Sequence, residues 1–424
     1  MSSTSSATAS LPSTPTTTNG KVPPRAQRTR FDVLGGVSLA HLLNDTMQSV
    51  ILALYPLLKG EFDLGFFQVG AITLTFQITA SLLQPIVGLI TDKRPMPYLM
   101  AIGMGFTLTG LLLLSVAPNY PLLLLAVGLI GCGSATFHPE ASRVARMASG
   151  GQFGLAQSLF QIGGNAGQAL GPLAAAAVVL SVHHGGRGQA AWFSLLALAT
   201  IVVLLQVGRW YHGRVRQHGK KAHAVSAAAY PKKLVRHTVG ILLVLMFSKF
   251  FYLVSISSFY TFYLIQHFGL REVTAANLLA VFLGAIAVGT LIGGPLGDRI
   301  GRRQVIWLSI LGCAPFTLIL PYVGLGWTVG LSIVIGLLLA SAFPAIIVYA
   351  QDMLTHRIGM VSGLFYGFSF GLGGIGAAIL GLLADQWGIV FVYKVCAFLP
   401  LLGILALWLP DVRPPASEDA DEPV

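Results

Sequence analysis

The chain has 424 residues, of which 54% are hydrophobic and only 10% are charged, and its mean hydropathy is +0.76. Because an ordinary soluble domain carries about 25% charged residues, this composition excludes a soluble fold and indicates an integral membrane protein. The net charge of +11 does not indicate nucleic-acid binding, since the basic residues are spread over short loops and form no single face.

The two ends of the chain are expected to lie outside the membrane. Residues 1–30 are rich in Ser, Thr and Pro and contain no apolar run, which predicts a disordered arm without a signal peptide. Residues 411–424 follow Pro410 and predict a solvated acidic tail. We expect both segments to be cytoplasmic.

Between these ends the sequence predicts twelve transmembrane helices. Its apolar runs reach about 20 residues, which lets a helix cross a hydrocarbon core of about 30 Å, whereas barrel strands would show alternating segments of about 10 residues. The runs lie near 32–58, 66–91, 98–117, 121–143, 153–180, 189–210, 238–266, 273–297, 304–323, 327–350, 358–384 and 388–410.

The basic residues predict the orientation of these helices. If both termini are cytoplasmic, 21 of the 26 Lys and Arg residues fall on the cytoplasmic side, where positive charge is retained. The longest cytoplasmic loop, 211–237, separates a bundle at 31–210 from a bundle at 238–410. Its basic residues could bind acidic lipid, but they also serve as a topology signal.

The two halves repeat each other. The loops "GLITDKRPMP" (88–97) and "GPLGDRIGRR" (294–303) carry aspartates 206 residues apart, and "GLAQSLFQ" (154–161) aligns with "GMVSGLFY" (359–366) at an offset of 205. Two matches at nearly one offset indicate an internal duplication. In membrane transporters that are built from an internal duplication, the substrate site lies between the two halves.

The second loop, G-x-x-x-D-R-x-G-R-R, resembles the signature loop of the major facilitator superfamily. The first copy keeps the Gly, the Asp and one basic residue, but has Pro-Met-Pro where the next Gly and the basic pair would stand. The resemblance implies a gate in which aspartates meet the positive ends of helices and arginines hold the halves together, although the arginines could instead only anchor the loop. The implied gating residues are Asp92, Asp298, Arg299, Arg302 and Arg303.

The predicted fifth helix contains "GGNAGQALGPL" (163–173), which resembles the antiporter motif of the same superfamily. The motif residues that it implies are Gly167, Gly171 and Pro172. Together with Gly163, these glycines line one face, which would also suit any tightly packed membrane helix.

Longer stretches, among them "FHPEASRVARMASGG" and "YAQDMLTHRIGMVSGLF", resemble drug-efflux members of the superfamily. The resemblance implies an all-α membrane fold of twelve helices in two pseudo-symmetric six-helix bundles, in the inner membrane of a bacterium. It further implies a monomer that exports a small polar or anionic drug by alternating access and proton antiport. Because homologous transporters diverge in substrate, an endogenous metabolite is the alternative.

The sequence predicts neither an enzyme nor a bound cofactor. It contains no HExxH, nucleophile or phosphate-loop motif, which argues against an intramembrane enzyme and against ATP as the energy source. Its three cysteines are scattered within apolar runs, so we expect no disulfide and no metal. An ion gradient is then the predicted source of energy.

Two opposite charges fall near the middle of predicted helices. Asp45 and Lys249 are 204 residues apart, so they occupy nearly matching positions in the two halves. Each costs about 2.5–3.5 kcal/mol at the bilayer centre by insertion scales, and so requires a partner or a function. We expect a central pair, acting either as alternating sites for proton and substrate or as a static contact between the halves.

Further polar residues in predicted helices are candidates for the same path. Glu140 is the second candidate for proton coupling, although Arg143 lies on the same helical face and could pair with it. Gln157, Gln161, Asn165 and Gln168 form a polar stripe that should point away from lipid, either toward substrate or toward another helix. The substrate-binding candidates are His41, Asn44, Gln48, Gln161, Asn165, Lys249 and Tyr252.

Overall fold

The computed structural model of the chain describes residues 28–64, 66–175, 177–178, 186–218 and 230–410, and within these ranges every regular element is a helix. Most of the predicted N-terminal arm and all of the acidic tail lie outside the described residues. The described helices form twelve successive membrane segments, which we number α1 to α12.

The first half contains α1 to α6. The bounds are α1, Phe31–Ala53 continued by Tyr55–Glu61; α2, Phe66–Lys93; α3, Leu99–Val116; α4, Tyr120–Ala148; α5, Phe153–Ala175; and α6, Phe193–His218, which follows a 3₁₀ turn at Arg187–Trp192.

The second half contains α7 to α12. The bounds are α7, Lys232–Phe268; α8, Glu272–Ile300; α9, Arg302–Ile310 continued by Ala314–Ile319 and Leu320–Tyr322; α10, Leu325–Met353; α11, Ile358–Trp387; and α12, Ile389–Cys396 continued by Leu399–Trp408. The sequence-based order is therefore confirmed, while α1, α9 and α12 are broken where single spans were expected.

The helices on either side of the expected linker at 211–237 extend into it. Helix α6 runs on to His218 and α7 begins at Lys232, so both helices extend beyond the expected boundaries at 210 and 238. Basic side chains have good helix propensity, which allows a helix to continue past its last apolar residue. Residues 219–229 lie outside the described part of the chain.

The outer surface of the molecule is apolar, as a lipid-facing surface must be. Along α2, large aliphatic side chains recur every four residues and are 47–64% exposed: Leu74, Ile78, Leu82 and Ile86. Nine helices among the described residues are long and apolar enough to span a bilayer. Helices α1 and α5 are not among the nine, and they carry many of the polar residues discussed below.

The helix packing follows the duplication. Pro139 lies inside α4 and Pro344 lies inside α10, at an offset of 205 residues. Between the halves, α2 packs on α11 and α5 packs on α8. These contacts include the end of the molecule where α2, α4, α8 and α10 finish and α5 and α11 begin, and we call it the charged end.

Candidate functional site

Asp45 lies in the interior of the first half, and its side chain is 3% exposed. Its Oδ1 accepts a hydrogen bond from Asn44 Nδ2 at 3.0 Å, and its Oδ2 accepts one from Gln168 Nε2 on α5 at 3.0 Å. A buried carboxylate is stable only when its oxygens have such donors. The helix therefore holds a carboxylate at its centre because α5 supplies an amide.

Two histidines face the same carboxylate. Nδ1 of His41 lies 2.8 Å from the carbonyl oxygen of Phe160, and Nδ1 of His138 lies 3.0 Å from that of Ser134. Since a carbonyl only accepts, each Nδ1 carries the proton, and each Nε2 is left toward Asp45, at 3.5 Å from Oδ2 for His41 and 3.7 Å from Oδ1 for His138. The three side chains can share a proton.

The three groups are also close enough to consider a metal ion. Their ligand atoms lie within 4.8 Å of one another, and all three residues are buried. However, both carboxylate oxygens already accept amide hydrogen bonds, so the donors around Asp45 suit a carboxylate that exchanges protons. We name this group, His41, Asp45 and His138, the proton-binding triad, after the role proposed for it below.

Lys249 does not form the predicted ion pair with Asp45. Its residue is 2% exposed, and among the described residues it has no carboxylate within 4.0 Å. Its Nζ lies 5.0 Å from the ring centre of Phe250 and 4.8 Å from that of Phe343. Matching positions along two helices do not bring side chains together when aromatic rings fill the space between them.

A chain of rings connects the two charges. The ring of Phe343 lies edge-on to Tyr366 at 5.2 Å, and Tyr366 lies 5.3 Å from the ring of His138. Asp45 and Lys249 therefore belong to separate sites on either side of these rings. The aromatic faces also give the Lys249 cation favourable electrostatic contacts.

The polar stripe of α5 makes hydrogen bonds to other helices, which is the second of its two predicted alternatives. Gln168 binds Asp45 within the first half, while Asn165 Nδ2 donates to Thr290 Oγ1 on α8 at 3.2 Å. Gln157 Nε2 donates to the hydroxyl of Tyr366 at 2.6 Å, and that hydroxyl donates to Gln161 Oε1 at 3.0 Å. The stripe points inward and joins the two halves.

The remaining substrate candidates lie in different surroundings. Gln48 is one turn beyond Asp45, and its buried Nε2 has no hydrogen-bond partner within the described structure, so it can donate to a ligand. Tyr252 is buried in the second half, where its electrostatic neighbours are Tyr260, Tyr263 and two cysteines. Tyr252 therefore belongs to the interior of its own bundle.

Glu140 pairs with Arg143 on its own helix, which was the alternative to a role in proton coupling. Its Oε1 lies 3.0 Å from Arg143 Nη1, and it is fully buried. Nη2 of the same arginine donates to Asp92 Oδ1 at 2.5 Å. Glu140 is therefore part of a charge cluster toward the charged end, apart from the proton-binding triad.

The two loop aspartates cap helices of the opposite half. Asp298 accepts the backbone N–H groups of Gly154 and Leu155, at 3.0 and 3.1 Å, at the start of α5. Asp92 accepts those of Gly359 and Met360, at 2.9 and 2.8 Å, at the start of α11. The first loop therefore makes the same cap as the second, although its sequence departs from the motif.

Glycines permit this close approach. A Cβ on Gly154 or Gly294 would collide with the carbonyl of the other. A Cβ on Gly88 would collide with the carbonyl of Gly359, and one on Gly359 would collide with the guanidinium of Arg143. The duplicated caps and glycine contacts close the charged end. The two halves are therefore in direct contact at this end.

The arginines of the second loop have different roles. Arg302 pairs with Asp352, which also pairs with Arg146 of the first half. Arg303 donates to the carbonyl of Leu407 at 2.6 Å, and Arg299 is exposed. Arg302 thus contributes to the contact between the halves, through Asp352 and through the ring of Phe153 of the first half, whose centre lies 5.9 Å from its Cζ.

Sequence reasoning missed Arg146, Asp352, Gln351 and Tyr366. Arg146 and Asp352 are 206 residues apart, and Gln161 and Tyr366 are 205 apart, so the duplication offset itself relates these pairs. Extending the alignment of the halves from the loops into the helices would have singled them out.

The glycines of the antiporter-like motif pack α5 against α1. Added Cβ atoms would collide with Ser38 at Gly163, with the carbonyl of Leu42 at Gly167, and with Ser49 at Gly171. This packing brings Gln168 to Asp45. The side chain of Pro172 lies outside the described structure.

Comparison with known proteins agrees with this architecture. The sequence matches the Major Facilitator Superfamily over residues 37–375 and 245–424. It is 60% identical over 386 residues to the fosmidomycin resistance protein of Escherichia coli (strain K12), covering 91% of this chain and 94% of that protein. It is 41% identical over 385 residues to the uncharacterized MFS-type transporter YfnC of Bacillus subtilis (strain 168), covering 90% and 93%.

Two solved structures share the fold at low sequence identity. The transporter FucP in the outward conformation has a TM-score of 0.67 at 16% identity, covering 89% of this chain and 99% of that chain. The human organic anion transporter MFSD10 has a TM-score of 0.67 at 15% identity, covering 90% and 100%. With its duplicated helices, capped charged end and buried polar centre, the chain belongs to the major facilitator superfamily of multi-pass membrane transporters.

Proposed function

We propose that this transporter exports a small anionic drug of the fosmidomycin type in exchange for protons. The 60% identity to the fosmidomycin resistance protein of Escherichia coli supports the substrate class. Fosmidomycin is a phosphonate, so its recognition inside a membrane protein requires a buried positive charge.

Lys249 is the single observation that carries this proposal. It is a lysine 2% exposed that lies against two aromatic rings, with no carboxylate within 4.0 Å among the described residues, so its amine could become a cation when an anion binds. A buried charge without a counter-ion is costly, and a bound anion would remove that cost. Phe250 and Phe343 would exclude water from the contact and so strengthen it.

Asp45 is the proposed proton carrier, with His41 and His138 as its partners. An anion bound at Lys249 would cancel the positive field of the lysine, which makes proton binding to the triad more favourable. Substrate binding would then promote proton uptake, and substrate release would promote proton loss. Glu140 is the next candidate, since it is buried at the neighbouring charge cluster.

We further propose that the charged end faces the cytoplasm of a bacterium, in the inner membrane, with both termini cytoplasmic and the chain acting as a monomer. The clustering of arginines at this end supports the orientation. An anion that leaves a cell with a negative interior gains about 2.3 kcal/mol per unit charge per 100 mV. Proton entry adds to this driving force.

The test is fosmidomycin transport by purified protein in proteoliposomes with an imposed proton gradient. Wild-type protein should accumulate the drug, Lys249→Arg should retain part of the activity because the charge is kept, and Lys249→Gln should lose it. Full transport by Lys249→Gln at equal protein levels would refute the anion site.

A growth assay separates the drug from a metabolite as substrate. An exporter-deficient, susceptible host that expresses this chain should be protected from fosmidomycin. A host that remains fully susceptible, although the chain reaches the membrane at normal levels, would contradict the drug assignment.

A further inference from the structure

Tyr366 lies where the proton-binding triad, the Lys249 site and the closed charged end meet. It is 1% exposed on α11 of the second half. Its hydroxyl accepts from Gln157 at 2.6 Å and donates to Gln161 at 3.0 Å, and both glutamines belong to α5 of the first half. These two bonds therefore exist only while α5 and α11 are close together.

The ring of Tyr366 contacts both charged sites. It lies 5.3 Å from the ring of His138, whose Nε2 is 3.7 Å from Asp45. It lies 5.2 Å from the ring of Phe343, which faces the Lys249 cation. Because cores are close-packed, a displacement of either neighbouring ring moves Tyr366 as well.

From the hydroxyl, hydrogen bonds continue to the charged end. Ser142 donates to Gln157 at 3.0 Å, Gln351 donates to Ser142 at 3.0 Å, and Arg146 donates to Gln351 at 3.1 Å. Arg146 then pairs with Asp352. Four of these five bonds join the two halves, while the Ser142–Gln157 bond lies within the first half. We call this series the cross-half network: Tyr366, Gln157, Ser142, Gln351, Arg146 and Asp352.

We propose that Tyr366 is a positioning residue that couples occupancy of the central sites to closure of the charged end. Tyr366 begins the cross-half network about 12 Å from the start of α11, at eight residues and 1.5 Å per residue. Opening the charged end breaks its two bonds, and displacement of its ring weakens them beforehand. This inference rests on the proposed transport cycle, in which the two ends open alternately.

The closed population can be measured without any substrate. Spin labels at Arg216→Cys on α6 and Thr355→Cys before α11 lie on exposed residues of opposite halves at the charged end. The Cys132→Ser background removes the one native cysteine that is not fully buried. Electron paramagnetic resonance then gives the closed-to-open ratio from the distance distribution.

Tyr366→Phe keeps the ring and removes the hydroxyl. Because Gln157 and Gln161 each lose a buried partner, the closed-to-open ratio should fall about tenfold, which corresponds to about 1.4 kcal/mol. Ser369→Ala is the matched control, since its hydroxyl donates within α11 itself, to the carbonyl of Phe365. It should leave the ratio unchanged.

Three further readouts separate coupling from a structural role. Fosmidomycin affinity of Tyr366→Phe, measured by equilibrium dialysis, should stay within about twofold, while gradient-driven export falls at least as far as the closed population. Gln157→Leu should shift the ratio in the same direction, and the double variant should shift it by less than the sum of the two, because both changes remove the Tyr366–Gln157 bond. A ratio in both Tyr366→Phe and Gln157→Leu that equals the Ser369→Ala control would overturn the proposal, whether or not fosmidomycin is the substrate.

Discussion

Replacing Asp298 with Asn should open the charged end without preventing membrane insertion. The carboxylate of Asp298 belongs to α8 and caps α5 of the other half through Gly154 and Leu155. Its side chain is 20% exposed, so it contributes little to the packed interior. The substitution therefore acts on the contact between the halves and not on the fold of either half.

The size of the effect follows from this geometry. Asparagine retains one acceptor oxygen, so one of the two N–H groups loses its partner, and the interaction of the charge with the helix dipole is lost. A surface charge at a helix N-terminus contributes about 0.3–1 kcal/mol, and a hydrogen bond to a charged group about 1.5–3 kcal/mol. Allowing for partial exposure, we expect a loss of about 2 kcal/mol, or about a thirtyfold lower closed-to-open ratio.

The assay is the distance measurement between labels at positions 216 and 355, combined with fosmidomycin export at matched membrane levels. Asp298→Glu is the control, because it keeps the charge and changes only the reach of the carboxylate. We expect the Glu variant to be closer to wild type than the Asn variant in both measurements. An Asn variant with the wild-type distance distribution and transport rate would refute the capping argument.

Three other predictions concern the first half. Asp92→Asn should shift the same distance distribution at least as strongly as Asp298→Asn, because Asp92 lies 2.5 Å from Arg143 whereas Asp298 lies 3.6 Å from Arg302, and a smaller shift would contradict this. Asp45→Asn should abolish drug accumulation driven by a proton gradient in proteoliposomes but permit exchange without a gradient; a normal gradient response would assign the proton to another group, with Glu140 next. Gly167→Ala should lower thermal stability by about 1–3 kcal/mol because its Cβ meets the backbone of α1. Gly105→Ala is its control, with open space at the Cβ, and should be neutral or slightly stabilising; equal melting temperatures for the two variants would count against the packing role.

The fold could be predicted because it depends on quantities that a sequence states directly. The length of each apolar run is set by the thickness of the bilayer, and the duplication appears as repeated letters at one offset. Hydropathy does not mark the breaks in α1, α9 and α12, since the apolar composition continues across them. Each continuing segment has a proline at its first or second position, Pro56, Pro315 or Pro400, and these prolines were the available signal. Helix ends also differed because hydropathy marks where the bilayer ends and not where the helix ends.

The site was only partly predictable for a different reason. Helical spacing placed Gln161 and Gln168 on one inward face correctly, because that face is a local property of α5. The partner of Asp45 depended instead on which side chains fill the space between the halves. The large rings of Phe343 and Tyr366 fill that space, and sequence position along two helices carries no information about them.

The capping of α5 and α11 by aspartates also affects how the charged end would open. When α8 moves away from α5, the N–H groups of Gly154 and Leu155 lose their hydrogen bonds to Asp298. These groups lie at the start of α5, outside the hydrocarbon core of the bilayer. Water or a dissolved anion can then take the place of the carboxylate, since a helix N-terminus attracts negative charge. Opening therefore exchanges the aspartate carboxylate for water or an anion at each helix end. Small anions on that side of the membrane should favour the open state.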